Sequence, residues 1–301
     1  MRVVTVGDLV ADIVVAVPLL PLQIGQYQEA HAIRIEPGGA GNFLIAGARL
    51  GMQMISIGAL GDDAFGHEVA AIFRAEGIDT ALITHPPGTS TTAVIVLNDD
   101  HGHTIMTGMF SDGPEIDFLP EWAAALASAD AIFAFGYSLR EGRMRTAVLD
   151  SLEYGRSLGR PILFDPGPEF DQLAADVRKR VLASCDVILL TEAEVPLTGM
   201  AEAADLLQHG PQTVVVKRGE AGCRIISAAG VLDMPGFPVV ARDTAGAGDC
   251  FAAAFIFGML SNWQPPQIAR FANAMGAAMV QKRGTGRQAP YPAEISAILG
   301  E

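Results

Sequence analysis

Short apolar runs alternate with segments of helical periodicity along most of this chain, and this alternation constrains the fold more than any other feature. The runs are rich in Ile, Val, Leu and Phe and have the length of buried strands. Strands separated by helices predict βαβ units, and therefore an α/β fold with a mostly parallel sheet covered on both faces. The predicted strands are residues 3–6, 54–60, 131–135, 161–164, 187–190 and 213–216. The predicted helices are residues 42–50, 64–76, 140–158, 201–208 and 267–281.

Two segments interrupt this rhythm. The first has no helical pattern, and the second alternates around an Asn-Asp-Asp-His-Gly turn, which predicts a β-hairpin. We interpret them as a small β-sheet lid, from about residues 12–36 and 89–108, inserted in a single domain of residues 1–301. The alternative is a pair of surface meanders at the edge of the main sheet.

The composition disfavours several classes of partner and compartment. A formal net charge of −14 argues against nucleic acid, whose binding requires Lys and Arg, and against anionic membranes. Three cysteines (Cys185, Cys223 and Cys250) form neither a disulfide framework nor a zinc-ligand spacing. The chain opens with a predicted strand and turn rather than a signal peptide. We therefore expect a cytoplasmic protein, and the acidic balance does not exclude an anionic ligand such as ATP, whose phosphates loop N–H groups and a helix N-terminus can bind.

A glycine-rich segment near the C-terminus combines an anion site with a base. The sequence Asp-Thr-Ala-Gly-Ala-Gly-Asp occupies residues 243–249 and precedes a small-residue helix. Backbone N–H groups of Gly246, Ala247 and Gly248 would lie at the positive end of that helix, where a phosphate gains stabilisation. The Asp249 carboxylate beside them can accept the proton of an attacking hydroxyl. The alternative is an ordinary turn whose acidic residue favours a helix N-terminus.

Residues 243–255 resemble the C-terminal signature of the ribokinase-like (PfkB) carbohydrate kinase family. The resemblance implies a three-layer α/β/α body with a mostly parallel sheet and a small β-sheet lid. It implies that Gly246, Ala247 and Gly248 form an anion hole and that Asp249 is the catalytic base. It also suggests a site for a monovalent cation such as K⁺ near Asp243 and Ala245.

The N-terminal third resembles the family's substrate motifs. Gly38, Gly39 and Asn42 match a Gly-Gly motif, although this version is one residue shorter between the glycine pair and the Asn. Asp12 matches an Asp that binds substrate hydroxyls. Tyr137 falls where ribokinase carries a Glu toward the sugar, so we expect it to contact the substrate here.

Further matches lie on the side of the nucleotide. Glu194 matches the acid of an Asn-x-x-Glu motif that organises Mg²⁺, with Thr191 in place of the Asn. We expect Glu194 in the outer shell of the metal, although the same residues also fit a helix cap. The resemblance assigns ATP contacts to Lys217, Gly219, Gly222, Asn273 and Gly284.

These features predict a kinase that moves a phosphoryl group from ATP, with Mg²⁺, to a hydroxyl of a sugar or sugar-like molecule. A nucleoside kinase of the same family is an alternative. A phosphosugar kinase would need a basic cluster that the sequence does not reveal. An alternative of another class is a non-catalytic sugar or nucleotide sensor on a kinase scaffold, against which the retained Asp249 and its loop argue.

We also expect a homodimer formed through the lid. Apolar lid residues left in water would favour association with a second copy. The sequence points to Val14, Val15, Val94 and Ile95 as exposed residues of this kind.

Overall fold

The computed structural model describes residues 1–111, 113–140 and 142–300. In these residues the chain forms a nine-stranded sheet in the order β13-β12-β11-β10-β9-β8-β1-β4-β5. The strands from β11 to β5 are all parallel to their neighbours, while β12 and β13 are antiparallel at one edge. The strands of this sheet are β1 (Arg2–Asp8), β4 (Gln53–Ala59), β5 (Asp79–Thr84), β8 (Ala131–Phe135), β9 (Ile162–Asp165), β10 (Val187–Thr191), β11 (Thr213–Lys217), β12 (Cys223–Ser227) and β13 (Gly230–Met234).

Helices cover both faces of this sheet because successive residues of each strand point in opposite directions. Val3 and Phe133 pack with α1, α2, α6, α7 and α8, whereas Val4 and Ile132 pack with α3, α4 and α5. The result is a three-layer α/β/α body. The helices are α1 (Ala40–Arg49), α2 (Ala64–Ala75), α3 (Pro120–Ala127), α4 (Arg145–Ser157), α5 (Ala175–Ser184), α6 (Ala247–Leu260), α7 (Pro265–Val280) and α8 (Pro292–Leu299).

A separate four-stranded sheet lies beside the body, in the order β3-β2-β6-β7. Its strands come from the two segments that interrupt the helical rhythm of the sequence. They are β2 (Val10–Ala16), β3 (Ala32–Gly38), β6 (Thr92–Asn98) and β7 (Thr104–Met109). We call this sheet the lid. The predicted fold class, an α/β body with a mostly parallel sheet and a small second sheet, is confirmed.

The two faces of the lid differ in chemistry. Strand register places Asp12 beside Glu36 on one side and Val94 on the other, so these residues share the inner face. On the outer face, one row across the sheet consists of Ile33, Val15, Leu97 and Ile105. Val14 and Val94 alternate with that row and therefore share the face of Asp12. The expectation that Val14 is exposed is wrong, because only 8% of it is accessible.

Two predicted helices differ from the structure. The helix predicted from residue 140 begins at Arg145, and residue 141 lies outside the described residues. Arg143 instead turns inward, where its guanidinium bonds to Asp8 and its carbonyl accepts from the Ile116 N–H. The segment Ala203–His209 forms a 3-10 helix rather than an α-helix. Among the described residues, no helix is both long enough and apolar enough to cross a bilayer.

Candidate active site

The start of α6 is the centre of the candidate active site. Gly246 precedes the helix with φ of 75°, a left-handed conformation that suits glycine, and Ala247 begins the helix. Asp249 therefore lies in the first turn, beside the N–H groups that a helix leaves without internal acceptors. Ala247, Gly248 and Asp249 are thus the first three residues of the helix, which places the carboxylate next to the predicted anion-binding loop.

The side-chain amide of Asn42 holds the Asp249 carboxylate in place. The Asn42 Nδ2 donates to Asp249 Oδ2 at 2.8 Å, and the Gly286 N–H donates to Asn42 Oδ1 at 2.6 Å. Asn42 is only 2% exposed. Among the residues that the structure describes, no hydrogen bond reaches Asp249 Oδ1, so that oxygen is left for another partner.

The surroundings of Asp249 shift the pKa of its carboxyl toward neutral pH. Burial, with a smaller contribution from the nearby carboxylates of Asp165 and Asp12, raises the pKa of its carboxyl to about 7. The Asn42 hydrogen bond and the Lys217 ammonium act in the opposite direction. A carboxyl that loses its proton near pH 7 can take a proton from a hydroxyl under physiological conditions.

Lys217 and Asp165 form a buried ion pair over the start of α6. The Lys217 Nζ lies 2.6 Å from Asp165 Oδ2, and the two side chains are 11% and 7% exposed. A Cβ built on Gly248 would lie 3.1 Å from the same Nζ, so the ammonium group stands directly against the glycine-rich loop. A positive charge is therefore fixed where a transferred phosphoryl group would carry negative charge.

A cavity of about 870 Å³ opens beside this loop. It lies between the turn after β11, the segment after β13, the start of α6 and the C-terminal half of α7. Gly219 has φ of 55° and open space where a Cβ would lie, which leaves room for a ligand close to the backbone. The residues predicted to contact ATP that line the cavity are Lys217, Gly219, Gly222 and Asn273.

Asn273 and Gly284 have structural partners of their own. The Asn273 Nδ2 donates to the carbonyl oxygens of Met234 and Pro235, at 3.2 and 3.0 Å, and so holds one wall of the cavity. Gly284 is absent from the described cavity lining, and its N–H donates to Asp243 Oδ2 at 2.9 Å. The other oxygen of Asp243 accepts from the Ala245 N–H at 2.9 Å. Asp243 thus ties the loop before α6 to the loop after α7.

Thr191 and Glu194 form a reciprocal cap at the end of β10. The Thr191 N–H donates to Glu194 Oε2 at 2.7 Å, and the Thr191 side chain accepts from the backbone at Glu194. Glu194 also lies close enough to Lys217, which lines the cavity, to raise the pKa of that lysine. Among the described residues, no group of three His, Cys, Asp or Glu side chains could hold a metal. One carboxylate near a phosphate cavity nevertheless fits Mg²⁺, which is commonly held by one or two carboxylates together with nucleotide phosphates.

The inner face of the lid places Asp12 near enough to Asp249 to raise the pKa of its carboxyl. We call the space between the lid and the start of α6 the cleft. Asp12 Oδ2 accepts from Thr285 Oγ1 at 2.9 Å, and burial raises the pKa of its carboxyl to about 6. The Asp12 carboxylate occupies the space that a Cβ on Gly38 would fill. Gly39 has φ of 47° and open space at that point, so a ligand can approach its backbone. Gly38 therefore accommodates Asp12, whereas Gly39 leaves room beside it.

Arg140 links two exposed aromatic residues, because its N–H donates to the Tyr137 carbonyl and its guanidinium lies against Phe110. Tyr137 is 42% exposed and packs against Gly167, and burial together with Asp249 and Asp165 raises the pKa of its hydroxyl. Phe110, which follows β7, is 45% exposed and lies against the Arg140 guanidinium, 4.1 Å from ring centroid to Cζ. Arg140 also forms an ion pair with Glu169.

Sequence reasoning missed Asp165, Arg140 and Phe110. Asp165 ends β9, and a polar residue at the carboxyl end of a parallel strand is a recognisable signal for the ligand-binding edge of such a sheet. No comparable signal marks Arg140 and Phe110, because their contact joins residues from the body and the lid that are distant in sequence.

Fold and site together define a kinase of small molecules, and comparison with known proteins identifies the family. A model of the pfkB family of carbohydrate kinases matches residues 1–292. The chain is 30% identical over 321 residues to fructokinase-1 of Zea mays, covering 99% of this chain and 97% of that protein. It is 28% identical over 318 residues to a fructokinase of Klebsiella pneumoniae, covering 99% of each.

A solved structure agrees over the same length. A protein from E. coli provisionally named ribokinase II, in complex with ATP and Mg²⁺, superposes with a TM-score of 0.86 at 24% identity, covering 99% of each chain. That similarity shows the ribokinase-like fold. This chain belongs to the pfkB family of carbohydrate kinases. It is therefore an ATP-dependent phosphotransferase, and the predicted family and enzyme class are confirmed.

Proposed function

We propose that this kinase phosphorylates a hydroxyl of a neutral sugar or sugar-like acceptor held between the lid and the start of α6, with Asp249 as the base. The observation that carries the proposal is the position of Asp249. Its Oδ2 is fixed by Asn42, and its Oδ1 has no hydrogen-bond partner among the described residues. It lies beside both the glycine-rich loop and the buried Lys217–Asp165 pair.

The cavity between β11 and α6 suits the nucleotide. In this proposal Lys217, Gly219 and Gly222 surround the phosphates, and Glu194 supports Mg²⁺ through its outer shell. The bound nucleotide and metal supply the phosphoryl group and neutralise part of its charge. The N–H groups of Gly246–Gly248 and the Lys217 ammonium then stabilise the charge that develops during transfer. Asp243 and Ala245 remain the proposed site of a monovalent cation.

The acceptor side favours a neutral molecule. Asp12 and Gly39 face this side, and Asp12 can accept hydrogen bonds from acceptor hydroxyls. Arg140, whose N–H donates to the Tyr137 carbonyl, is already paired with Glu169. A phosphosugar would require that pair to break. We therefore rank a phosphosugar below a neutral sugar as the candidate acceptor.

Fructose and related ketoses are the first acceptors to test, because the two relatives named above are fructokinases. A nucleoside is the second candidate. Tyr137 and Phe110 present exposed rings on which a base could stack, a contact that a free sugar would not use fully.

A coupled assay of ADP release tests the proposal across sugars, sugar acids and nucleosides, with Asp249→Asn as the control. Turnover with one acceptor that disappears in Asp249→Asn supports both the function and the base. Equal turnover in the two proteins contradicts the assignment of the base. ATP binding without turnover on any acceptor favours the sensor alternative. The cytoplasmic location and the lack of nucleic-acid and membrane partners stay predictions.

We further propose a homodimer formed through the outer face of the lid. The row Ile33, Val15, Leu97 and Ile105 is flanked by a second row in which Ile13 pairs with Ile35 and Ile95. Ile35 packs against the core of the body, whereas Ile95 is 41% exposed. Ile33 is 70% exposed and Ile105 is 44% exposed. A sheet face this apolar is unfavourable in water, and a second copy of the same face would bury it.

A further inference from the structure

Arg143 is a buried cation that the proposed mechanism does not use. Its side chain is only 1% exposed, and it lies in the turn before α4. The guanidinium donates to Asp8 Oδ1 at 2.9 Å and to the Ala59 carbonyl oxygen at 3.1 Å. A longer contact of 3.4 Å reaches the Ser90 carbonyl oxygen. Because the donors of an arginine lie in one rigid plane, these three partners are fixed relative to one another.

The partners of Arg143 belong to the connections between the body and the lid. Asp8 ends β1, and β2 of the lid begins two residues later. Ser90 lies in the connection from β5 to β6. The connection that leaves β7 is held by the backbone, because the Ile116 N–H donates to the Arg143 carbonyl oxygen at 2.7 Å. Three connections between the body and the lid therefore meet at Arg143, and we call this place the junction.

The Asp8 carboxylate extends the junction into the lid itself. Its second oxygen accepts from Thr92 Oγ1, and the same Thr92 oxygen accepts from the Ser111 N–H at 3.0 Å. Thr92 begins β6 and is the residue paired with Val10, which begins β2. One carboxylate thus joins Arg143 to the end of the lid at which β2 and β6 begin.

The position of Asp12 depends on this junction. Asp12 lies on β2, four residues after Asp8. On the side of the body, the Asp8 N–H donates to Ser138 Oγ at 3.0 Å, so Asp8 is fixed at its backbone as well as its side chain. A rotation of β2 about this point would move Asp12 relative to Asp249, because Asp249 belongs to a helix of the body.

We propose that Arg143 is a positioning residue for the acceptor: it fixes the junction at the angle that places Asp12 opposite Asp249. The inference rests on the proposed function, in which the acceptor binds between the lid and the start of α6. The side of the nucleotide should not depend on it, because Arg143 and its partners are absent from the described lining of the nucleotide cavity.

Three variants weaken the junction to different degrees. Arg143→Lys keeps the charge but lacks the planar group that reaches several acceptors together. Arg143→Met removes the charge and leaves the Asp8 carboxylate without its cation. Arg143→Met/Asp8→Asn removes both charges. It guards against a failure of Arg143→Met to fold, because no unpaired buried charge remains.

The matched control is a loss of stability elsewhere in the body. Leu152 is buried on α4, in the core beneath the sheet. Leu152→Ala leaves a cavity in that core and should lower Tm, while the hydrogen bonds of the junction stay in place.

Steady-state kinetics, with ATP and the acceptor varied in turn, provide the first readout. The acceptor is the one that the ADP-release panel identifies, beginning with fructose. A lid that is correctly placed for a smaller fraction of the time lowers the apparent affinity for the acceptor by that fraction, and a saturating acceptor restores the placement. We expect Arg143→Met and the double variant to raise the acceptor KM about 10-fold, with the ATP KM changed less than about twofold and kcat less than about threefold.

The other two variants test whether this effect belongs to the guanidinium. Arg143→Lys should have an acceptor KM between those of wild type and Arg143→Met. Leu152→Ala should keep its acceptor KM within about twofold of wild type despite its lower Tm. An unchanged acceptor KM in the double variant, or equal increases in the KM values for acceptor and ATP, would overturn the proposal.

Hydrogen–deuterium exchange of the ligand-free protein gives a second readout that needs no turnover. In Arg143→Met and in the double variant, amides of β2 and β6 should exchange at least about fivefold faster, while those of β10 and β11 keep their wild-type rates. Leu152→Ala should not accelerate exchange selectively in the lid. If wild-type protein phosphorylates no acceptor, the proposed function fails, and exchange still decides whether Arg143 fixes the lid. Unchanged exchange in β2 and β6 contradicts the positioning role even where the kinase is active.

Discussion

The Lys217 ammonium lies 2.6 Å from the Asp165 carboxylate and directly above the glycine-rich start of α6. A cation at a helix N-terminus meets the positive end of the helix dipole, which is unfavourable without an anion. Burial alone would lower the pKa of Lys217, but Asp165, with Glu194 and Asp249 behind it, raises the pKa overall. Lys217 is thus kept charged at a position where a bound phosphoryl group would contact both its ammonium group and the positive end of the α6 dipole.

We predict that Lys217→Met lowers kcat about 100-fold or more, because the lost charge acts on the transferred group. Breaking a buried pair on one side also destabilises a protein by about 3–5 kcal/mol, since the remaining charge has no partner. The double variant Lys217→Met/Asp165→Asn removes both charges and should recover stability without recovering activity. Urea unfolding and steady-state kinetics on the three proteins measure the two effects separately.

The matched control is an exposed ion pair on the same sheet. Arg224 binds Asp233 at 2.9 Å between β12 and β13, and its side chain is 44% exposed. Arg224→Gln should change kcat less than about twofold, because exposed pairs contribute little. Recovery of full activity in the Lys217→Met/Asp165→Asn protein would show that the pair serves stability alone.

The raised pKa of Asp249 predicts a stability that depends on pH. The carboxyl titrates near 7 in the folded protein and near 3.8 when unfolded, so the folded state binds more protons between these values. The free energy of unfolding should therefore lose a contribution from Asp249 as pH rises from about 4 to 7. Asp249→Asn cannot ionise. It should gain stability relative to wild type, by at least about 1 kcal/mol more at pH 8 than at pH 4.

Urea unfolding at several pH values measures this difference. Asp117→Asn removes one exposed carboxylate in the segment before α3 and serves as the control for net charge. Its stability difference from wild type should stay nearly constant between pH 4 and 8. If the free energies of unfolding of Asp249→Asn and wild type differed by the same amount at every pH, burial would not disfavour the charged form of Asp249.

Much of the body follows from local sequence patterns. The strand prediction for residues 131–135 coincides with β8, and the others agree with the observed strands within about two residues at each end. The helix predicted from residue 140 started too early because Arg143 leaves the helical path to pair with the partly buried Asp8. That ion pair joins residues 135 positions apart in sequence, and no local periodicity contains it.

In the candidate site, too, some features follow from local sequence and others depend on residues that are distant in sequence. The proximity of Asp249 to the N–H groups of residues 246–248 was predictable because these residues are neighbours in sequence. The partners of Asp249 were not. Asn42 reaches Asp249 across 207 residues, and Lys217 reaches Asp165 across 52. The role of such residues depends on which strand ends meet, which only the folded chain determines.

Gly248 provides a further test of the arrangement above α6. A Cβ at this position would lie 3.1 Å from the Lys217 Nζ, so alanine should displace the ammonium group. Gly248 has no left-handed backbone, and alanine is the better helix former, so the fold should be retained. We expect Gly248→Ala to lower kcat about 10-fold with an unchanged or higher Tm.

A double-mutant cycle with Lys217→Met decides whether Gly248→Ala acts through the lysine. If it does, the alanine should have little further effect on kcat once Lys217 is absent. Additive losses in the two variants would instead place the effect of alanine on the N–H groups of the loop itself.

The outer face of the lid predicts the oligomeric state. Ile33 and Ile105 lie on the two edge strands, at opposite ends of one apolar row, and both are exposed. Charging both positions in Ile33→Lys/Ile105→Lys should abolish association, because two copies would bring like charges together in an apolar interface. Size-exclusion chromatography with light scattering should give a dimer for wild type and a monomer for this variant. Leu158→Lys charges an exposed apolar residue at the end of α4, far from the lid, and should stay dimeric. A monomeric wild type, or a dimer that survives in the doubly charged lid, would contradict the proposed interface.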